Sequence, residues 1–253
     1  MDVVQDKEVV SLSNPHLITK NGNYDNQPYF TANSTGLLYV SEQTNSQTDV
    51  FYFDFSTNAS TPITNTPESE YSAKGSSLQQ FTCVRVDSDS AQRLYQYNQA
   101  VPKQIFTKSD SMGYYSLVDS KCIFFKITEP ASIWLADSLS EKQLSGIPGR
   151  CFVSNPAGTE AWFTQKLGDG FLLMYYKNKN IGISINLPDK AEFFDYWDAN
   201  HLLINTGSKL ILLNWSTGTK IDIPFPTTLP AFTKTRLSIS PDHKHLALVV
   251  AEQ

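Results

Sequence analysis

Apolar and polar positions alternate in short runs along the chain, and the runs come in groups of four. The clearest group lies between Gln27 and Thr66. Pro28-Tyr29-Phe30-Thr31 is followed by a polar turn from Ala32 to Gly36, then by Leu37-Leu38-Tyr39-Val40. A polar loop from Ser41 to Asp49 leads to Val50-Phe51-Tyr52-Phe53, and a second polar turn from Ser56 to Ser60 leads to Pro62-Ile63-Thr64. Short runs rich in aromatic and β-branched residues, bounded by Asn, Ser, Thr and Gly, predict strands. Four in succession with short connections predict an antiparallel meander of roughly 40 residues, the length of one propeller blade.

The unit returns along the chain. Residues 27–66 form the first predicted blade, 70–108 the second, 113–146 the third, 150–187 the fourth and 191–225 the fifth. Two strand patterns remain at each end. Val9–Leu12 and Leu17–Thr19 fall within residues 8–20, and Leu237–Ser240 and Leu246–Val250 within 235–251. The expectation is an all-β fold, a single six-bladed β-propeller domain over 1–253 with four-stranded antiparallel blades. The N- and C-terminal strands would share the sixth blade, with Val9–Thr19 pairing with Leu246–Val250. Such closure removes a free strand edge. A β-sandwich would not return at this period. No long helical period occurs.

Ser240-Pro241-Asp242-His243 is close to a Ser-Pro-Asp-Gly turn. Thr31-Ala32-Asn33-Ser34-Thr35-Gly36 and Ser154-Asn155-Pro156-Ala157-Gly158 are looser versions. With the approach Asn26-Gln27-Pro28-Tyr29-Phe30 and the exit Pro62–Pro67, these resemble the TolB-like propeller family. WD-repeat and kelch signatures are absent. The resemblance implies a bacterial scaffold, usually extracytoplasmic, that binds proteins or small ligands. A periplasmic or secreted location follows as an expectation, with a cytoplasmic one as the alternative, because Met1–Asp6 lacks the features of a signal peptide.

Composition narrows the function. A net charge of −5 and a pI near 5.4 argue against a nucleic-acid surface. No apolar run reaches the length of a membrane helix, so no membrane insertion is expected. Fifteen Phe and 12 Tyr favour strands. Cys83, Cys122 and Cys151 form neither a metal spacing nor an even disulfide set, and free thiols are expected. The histidines His16, His201, His243 and His245 offer no convergent ligand set. Asp87-Ser88-Asp89-Ser90 has oxygen ligands suited to calcium but reads as a solvated loop. Neither a metal nor another cofactor is expected, and no nucleophile elbow or phosphate-cradling loop occurs.

The candidate site is geometric. In a propeller, the loops leading into the innermost strands gather at one mouth of the channel. Here they contribute Tyr24, Asn26, Glu70, Tyr114, Arg150, Glu192, Phe193 and Arg236. Aromatic groups and guanidinium are frequent anchors of binding, and guanidinium grips a carboxylate with two hydrogen bonds. The same side chains could instead pair with one another. The expectation is a non-catalytic, monomeric scaffold that binds a protein segment or small polar ligand at the mouth, without catalytic residues. The alternative is a hydrolase or lyase using Glu70, Glu192 and Arg150, which requires carboxylates placed as an acid–base pair.

Overall fold

The strand pattern is carried through into a computed structural model, which describes residues 1–6, 9–19, 24–43, 46–144, 146–229 and 233–251. Strands β1 (Asp2–Asp6) and β2 (Val9–Ser13) form an N-terminal hairpin. The first four-stranded sheet holds β3 (Asp25–Phe30), β4 (Gly36–Glu42), β5 (Thr48–Asp54) and β6 (Ala59–Pro62). The second holds β7 (Ser69–Ser77), β8 (Gln80–Val86), β9 (Gln92–Asn98) and β10 (Val101–Gln104). The third holds β11 (Met112–Val118), β12 (Lys121–Lys126), β13 (Ser132–Ala136) and β14 (Glu141–Gln143). The fourth holds β15 (Pro148–Ser154), β16 (Ala161–Leu167), β17 (Gly170–Lys177) and β18 (Asn180–Asn186). The fifth holds β19 (Phe193–Tyr196), β20 (His201–Asn205), β21 (Lys209–Asn214) and β22 (Lys220–Pro224). A C-terminal pair, β23 (Thr233–Ile239) and β24 (Leu246–Ala251), ends the described chain. Each four-stranded sheet is a meander in chain order. Among the described residues, no helix is long and apolar enough to cross a membrane.

The chain divides into two units. One comprises residues 1–90, 94–104 and 223–253; the other comprises 91–93 and 105–222. In the first, strands β23, β3 and β7 are neighbours, and in the second β11, β15 and β19 are neighbours. Adjacent sheets bury their facing apolar sides. Leu38, Val50 and Tyr52 of the first sheet meet Ala73, Phe81, Cys83 and Tyr97 of the second. Val118, Ile123, Ile133 and Leu135 of the third meet Phe152, Phe163, Met174 and Tyr176 of the fourth. Because strand side chains alternate between faces, a strand buried on both sides needs apolar residues at successive positions. Leu37-Leu38-Tyr39-Val40 meets that need, and all four are buried.

The outermost strands lie earlier than the apolar pattern predicts. The fourth strand of the first sheet is Ala59–Pro62, not Pro62–Thr64; those of the second and third are Val101–Gln104 and Glu141–Gln143. These strands are largely exposed and carry little apolar signal. The apolar residues just beyond them, Ile63 and Leu144, are half-buried against the inter-sheet core.

The N-terminal expectation is corrected in detail. The strand beside β24 is β1, not Val9–Thr19. The Met1 ammonium donates to the Leu246 carbonyl at 3.0 Å. The Leu246 N–H donates to the Met1 carbonyl, the Val3 N–H donates to the Lys244 carbonyl, and Asp2 bridges to His245. Val9–Ser13 pairs with β1 on its other side. Leu17–Thr19 forms no strand: the chain turns at Asn14, whose φ is +48°, and Ile18 packs instead against the Phe30, Leu37, Tyr39 and Phe53 cluster. Charged ends conceal β1 in the sequence, since only Val3 of Asp2-Val3-Val4-Gln5-Asp6 is buried.

Candidate functional site

Half of the predicted site residues, Asn26, Tyr114, Arg150 and Arg236, sit at irregularities in the first strand of a sheet. Register breaks occur between Asn26 and Tyr29 in β3, Tyr71 and Lys74 in β7, Met112 and Tyr115 in β11, Pro148 and Phe152 in β15, and Lys234 and Leu237 in β23. A bulge bends the strand and re-aims the side chains around it. In the first unit two such bulges are tied together, as the Ser72 N–H donates to the Gln27 side-chain carbonyl at 2.6 Å. Gln27 and Ser72 both take positive φ, +59° and +55°.

Glu70 is the largest departure from expectation. Rather than facing a mouth, it is wholly buried. The Thr66 and Tyr97 hydroxyls donate to its Oε1 at 2.6 and 3.1 Å, and Thr64 lies 3.2 Å from both Glu70 Oε2 and Asp49 Oδ1. Removal from water pushes the Glu70 carboxyl up to about 7, with the nearby Asp49 adding to the rise and the hydroxyls opposing it. Burial raises Asp49 as well. The cluster joins the first sheet to the second: the Thr48 hydroxyl donates to the Glu70 carbonyl at 3.0 Å, and the Gln47 amide reaches the Glu68 carbonyl at 3.1 Å. Glu70 is therefore a polar member of an inter-sheet core.

In the second unit, Arg150 and Glu192 hold each other. Arg150 Nη2 donates to Glu192 Oε2 at 2.7 Å, its Nε lies 3.1 Å from Oε1, and its backbone N–H donates to Oε1 at 2.6 Å. The Arg150 side chain is 51% exposed and that of Glu192 only 10%. The guanidinium carbon stands 5.3 Å from the centre of the Phe193 ring, which is buried. Tyr114 packs at the margin of the core, edge-on to Phe125. The cation read as open to a ligand carboxylate thus already has a carboxylate, which links β15 to the start of β19.

The remaining candidates converge in the first unit. Arg236 Nη1 donates to Asn26 Oδ1 at 3.4 Å. Tyr24 and Asn26 line a cleft of about 930 Å³. One wall is Pro15–Thr19; another is the length of β24, from Leu246 to Ala251; Phe30, Tyr39 and Phe55 form part of the floor. Asp25 lines it too, and among the described residues its buried Oδ1 has no hydrogen-bond partner. At one end His245 stacks on Phe55 at 5.0 Å and lies 3.5 Å from Asp2.

Solved structures share this architecture. A structure assigned as TolB from Agrobacterium tumefaciens matches with a TM-score of 0.68 at 10% identity, over 94% of this chain and 94% of that one. TolB from Acinetobacter baumannii matches with 0.59 at 14% identity, over 82% of this chain. The chain has a TolB-like β-propeller fold. It spans 56% of the Acinetobacter TolB chain. A gluconolactonase from Xanthomonas campestris also matches, with 0.61 at 10% identity over 90% of this chain and 84% of that one, so the fold serves an enzyme as well. No protein-family model matches the chain, and no curated protein does.

Within this TolB-like fold, the described residues include no group of three or more His, Cys, Asp or Glu side chains arranged to hold a metal ion. Asp87 is engaged by Arg85 at 2.9 Å and by the Tyr95 hydroxyl at 3.0 Å. The cleft residues of β24 and Pro15–Thr19 escape a sequence reading because they look like core strand. A signal does exist: Leu246-Ala247-Leu248-Val249-Val250 is apolar without alternation, the mark of a strand covered on both sides, yet only Leu246 is fully buried.

Proposed function

We propose that this chain is a TolB-like binding scaffold that holds a segment of another protein in the cleft beside β24. The observation that carries this reading is the cleft itself: about 930 Å³, walled mainly by apolar side chains, with Tyr24, Asp25 and Asn26 supplying polar groups along one side. Its size and its mix of many apolar and few polar groups are those of binding sites. Tyr24, Asn26 and Arg236 belong to the proposed site. Glu70, Arg150, Glu192, Phe193 and Tyr114 are assigned to holding neighbouring sheets together.

The blade count of the scaffold is six in this proposal, with β23, β24, β1 and β2 as the sixth. The Met1–Leu246 and Val3–Lys244 hydrogen bonds support it. An extracytoplasmic location and a monomeric state belong to the same proposal. A hydrolase or lyase built on Glu70, Glu192 and Arg150 is the weaker reading: Glu70 has no access to water, and Arg150 and Glu192 are engaged with each other.

The test is selection of displayed peptides on the parent protein, followed by titration against Leu17→Arg. Leu17 is 60% exposed and lines the cleft, so the substitution leaves the core intact while placing a charge in the site. Selected peptides should bind Leu17→Arg about tenfold more weakly, the loss expected from removing one large apolar contact. Peptides that bind both proteins equally would place the site elsewhere.

A further inference from the structure

Two carboxyl groups meet in the core of the first unit. Asp49 of β5 and Glu70 of β7 are both buried, and the Thr64 hydroxyl lies between them, 3.2 Å from Asp49 Oδ1 and 3.2 Å from Glu70 Oε2. Thr64 Oγ1 already accepts the Val50 N–H at 2.8 Å. A hydroxyl has a single hydrogen to give, so Thr64 can serve only one of the two carboxyls. Glu70 Oε1 accepts from the Thr66 and Tyr97 hydroxyls. Asp49 takes the Thr66 N–H and lies within hydrogen-bond reach of the Glu70 side chain. With both carboxyls ionised and the Thr64 hydrogen given to Asp49, Glu70 Oε2 would face only acceptors. One added proton completes the set: Glu70 Oε2–H donates to Thr64 or to Asp49, and Asp49 stays a carboxylate. The other titratable groups facing Glu70 are Tyr97 on β9 and Cys83 on β8, and burial keeps both protonated. Arg85 lies opposite Glu70 on β8, but its guanidinium is held by Asp87 at 2.9 Å and by the face of the Tyr95 ring at 3.9 Å. Among the described residues no cation pairs with either carboxyl.

We infer that Asp49 and Glu70 share one proton, and that its loss releases the crossover from β6 to β7. The crossover is built for local release. β6 ends at Pro62, β7 begins at Ser69, and Asn65 and Pro67 between them are exposed. Side chains tie this segment to β5 and the residue before it. The Gln47 amide donates to the Thr66 and Glu68 carbonyls, the Thr48 N–H to Ser69 Oγ at 3.3 Å, and the Thr48 hydroxyl to the Glu70 carbonyl at 3.0 Å. Thr64 and Thr66 close the same segment onto the carboxyl pair. A second negative charge in a place removed from water repels the first and draws water in. The crossover is the short way in, because side-chain bonds can give there while the β4–β5 and β7–β8 ladders stay paired. The two carboxyls titrate as a pair, one proton leaving in acid and the shared one near neutral pH. The latch is closed in acid and open in mild alkali, and it works independently of the cleft beside β24.

Two measurements on the full chain test this. The first is hydrogen exchange read by mass spectrometry, as protection relative to the unprotected chain at each pH. At about pH 5.5 the amides of residues 64–69 should be protected at least a hundredfold. At about pH 8.5 they should exchange within about tenfold of the unprotected rate, while β16 and β17 keep at least a hundredfold protection. Glu70→Gln, whose amide keeps a donor toward Thr64 and carries no charge, should hold the crossover protected at both pH values. Crossover protection that is unchanged in the parent, or lost equally in Glu70→Gln, overturns the inference. Loss of β16 and β17 to the same level also overturns it, since the whole chain would then have opened. The second measurement needs no variant. In the parent labelled with carboxyl-13C glutamate, one resonance should titrate near neutral pH, well above the others. Glutamates that all titrate together in acid overturn the shared proton, whether or not Glu70→Gln folds.

Discussion

Glu70 shows how one carboxylate changes meaning between a strand list and a folded core. Its pKa is about 7 in the folded state against the ordinary 4.5 of an exposed glutamate. Between those values the folded state holds a proton that the unfolded state has lost, so stability is full below about pH 4.5 and falls as the pH rises through 7. Asp49, also raised, acts with the same sign. Glu70→Gln removes this titration and should flatten the fall in unfolding free energy from pH 5 to 8, by up to about 3 kcal/mol. Urea unfolding at four pH values measures it, and an unchanged slope would contradict the assignment. Arg150 supplies the contrasting case. Its half-exposed pairing with Glu192 is a bidentate contact between neighbouring strands. A double-mutant cycle of Arg150→Ala and Glu192→Ala should give a coupling of about 1 kcal/mol in stability. A coupling near zero would return Arg150 to the group of cations available to a ligand.

At the scale of elements, first strands are bent and outer strands are exposed. The bend in β7 brings Gly75 against the neighbouring strand. A Cβ at Gly75 would run into the Gln80 carbonyl and stand 2.6 Å from the Phe81 Cα, contacts that a flexible side chain cannot relieve. Gly75→Ala should therefore cost about 1–3 kcal/mol, measured as a lower denaturation midpoint. Gly158, at φ +66° with nothing within 4 Å of an added Cβ, is a turn position where only backbone conformation opposes substitution. The outer strands were hard to place in the sequence for a physical reason. A strand such as Ala59–Pro62, exposed throughout, contributes hydrogen bonds but little apolar burial. The periodicity that marks strands reports burial, so it shifted these strands toward the half-buried apolar residues that follow them.

At the scale of the molecule, the ends of the described chain meet in the first unit through Met1–Val3 and Lys244–Leu246. Removing residues 1–13 should expose all of the outer edge of β24 and make the protein aggregate in a concentration-dependent way, followed by light scattering. A truncated protein that stays monomeric with an unchanged Tm would deny β1 its role. The cysteines are distributed over three sheets, Cys83 in β8, Cys122 in β12 and Cys151 in β15, all buried and outside any disulfide. The denatured, unreduced protein should titrate as three thiols, and the native protein should react far more slowly because burial protects them, with Cys83 also pushed up in pKa.

The sequence by itself determined the inner strands of the five four-stranded sheets, their meander order, the repeat and the absence of a disulfide framework. Those features follow from local rules: period-two burial, turn residues, and a spacing that returns within one unit. Tyr24, Asn26 and Arg236 were legible as a group because each lies at or just before an apolar run that opens a unit of the repeat, although β23 itself starts at Thr233 and holds Arg236 within it. Only the tertiary structure decided that Glu70 is sealed by Thr64, Thr66 and Tyr97, and that Arg150 is taken by Glu192. It alone decided that β1, not Val9–Thr19, meets β24. The reason is common to all three. Whether a polar side chain faces water, a neighbour or a ligand depends on which sheet lies next to its own, and that partner can be distant in sequence. Alternation tells which side of a strand is buried; it does not tell what lies against it, or whether that place stands open as a cleft.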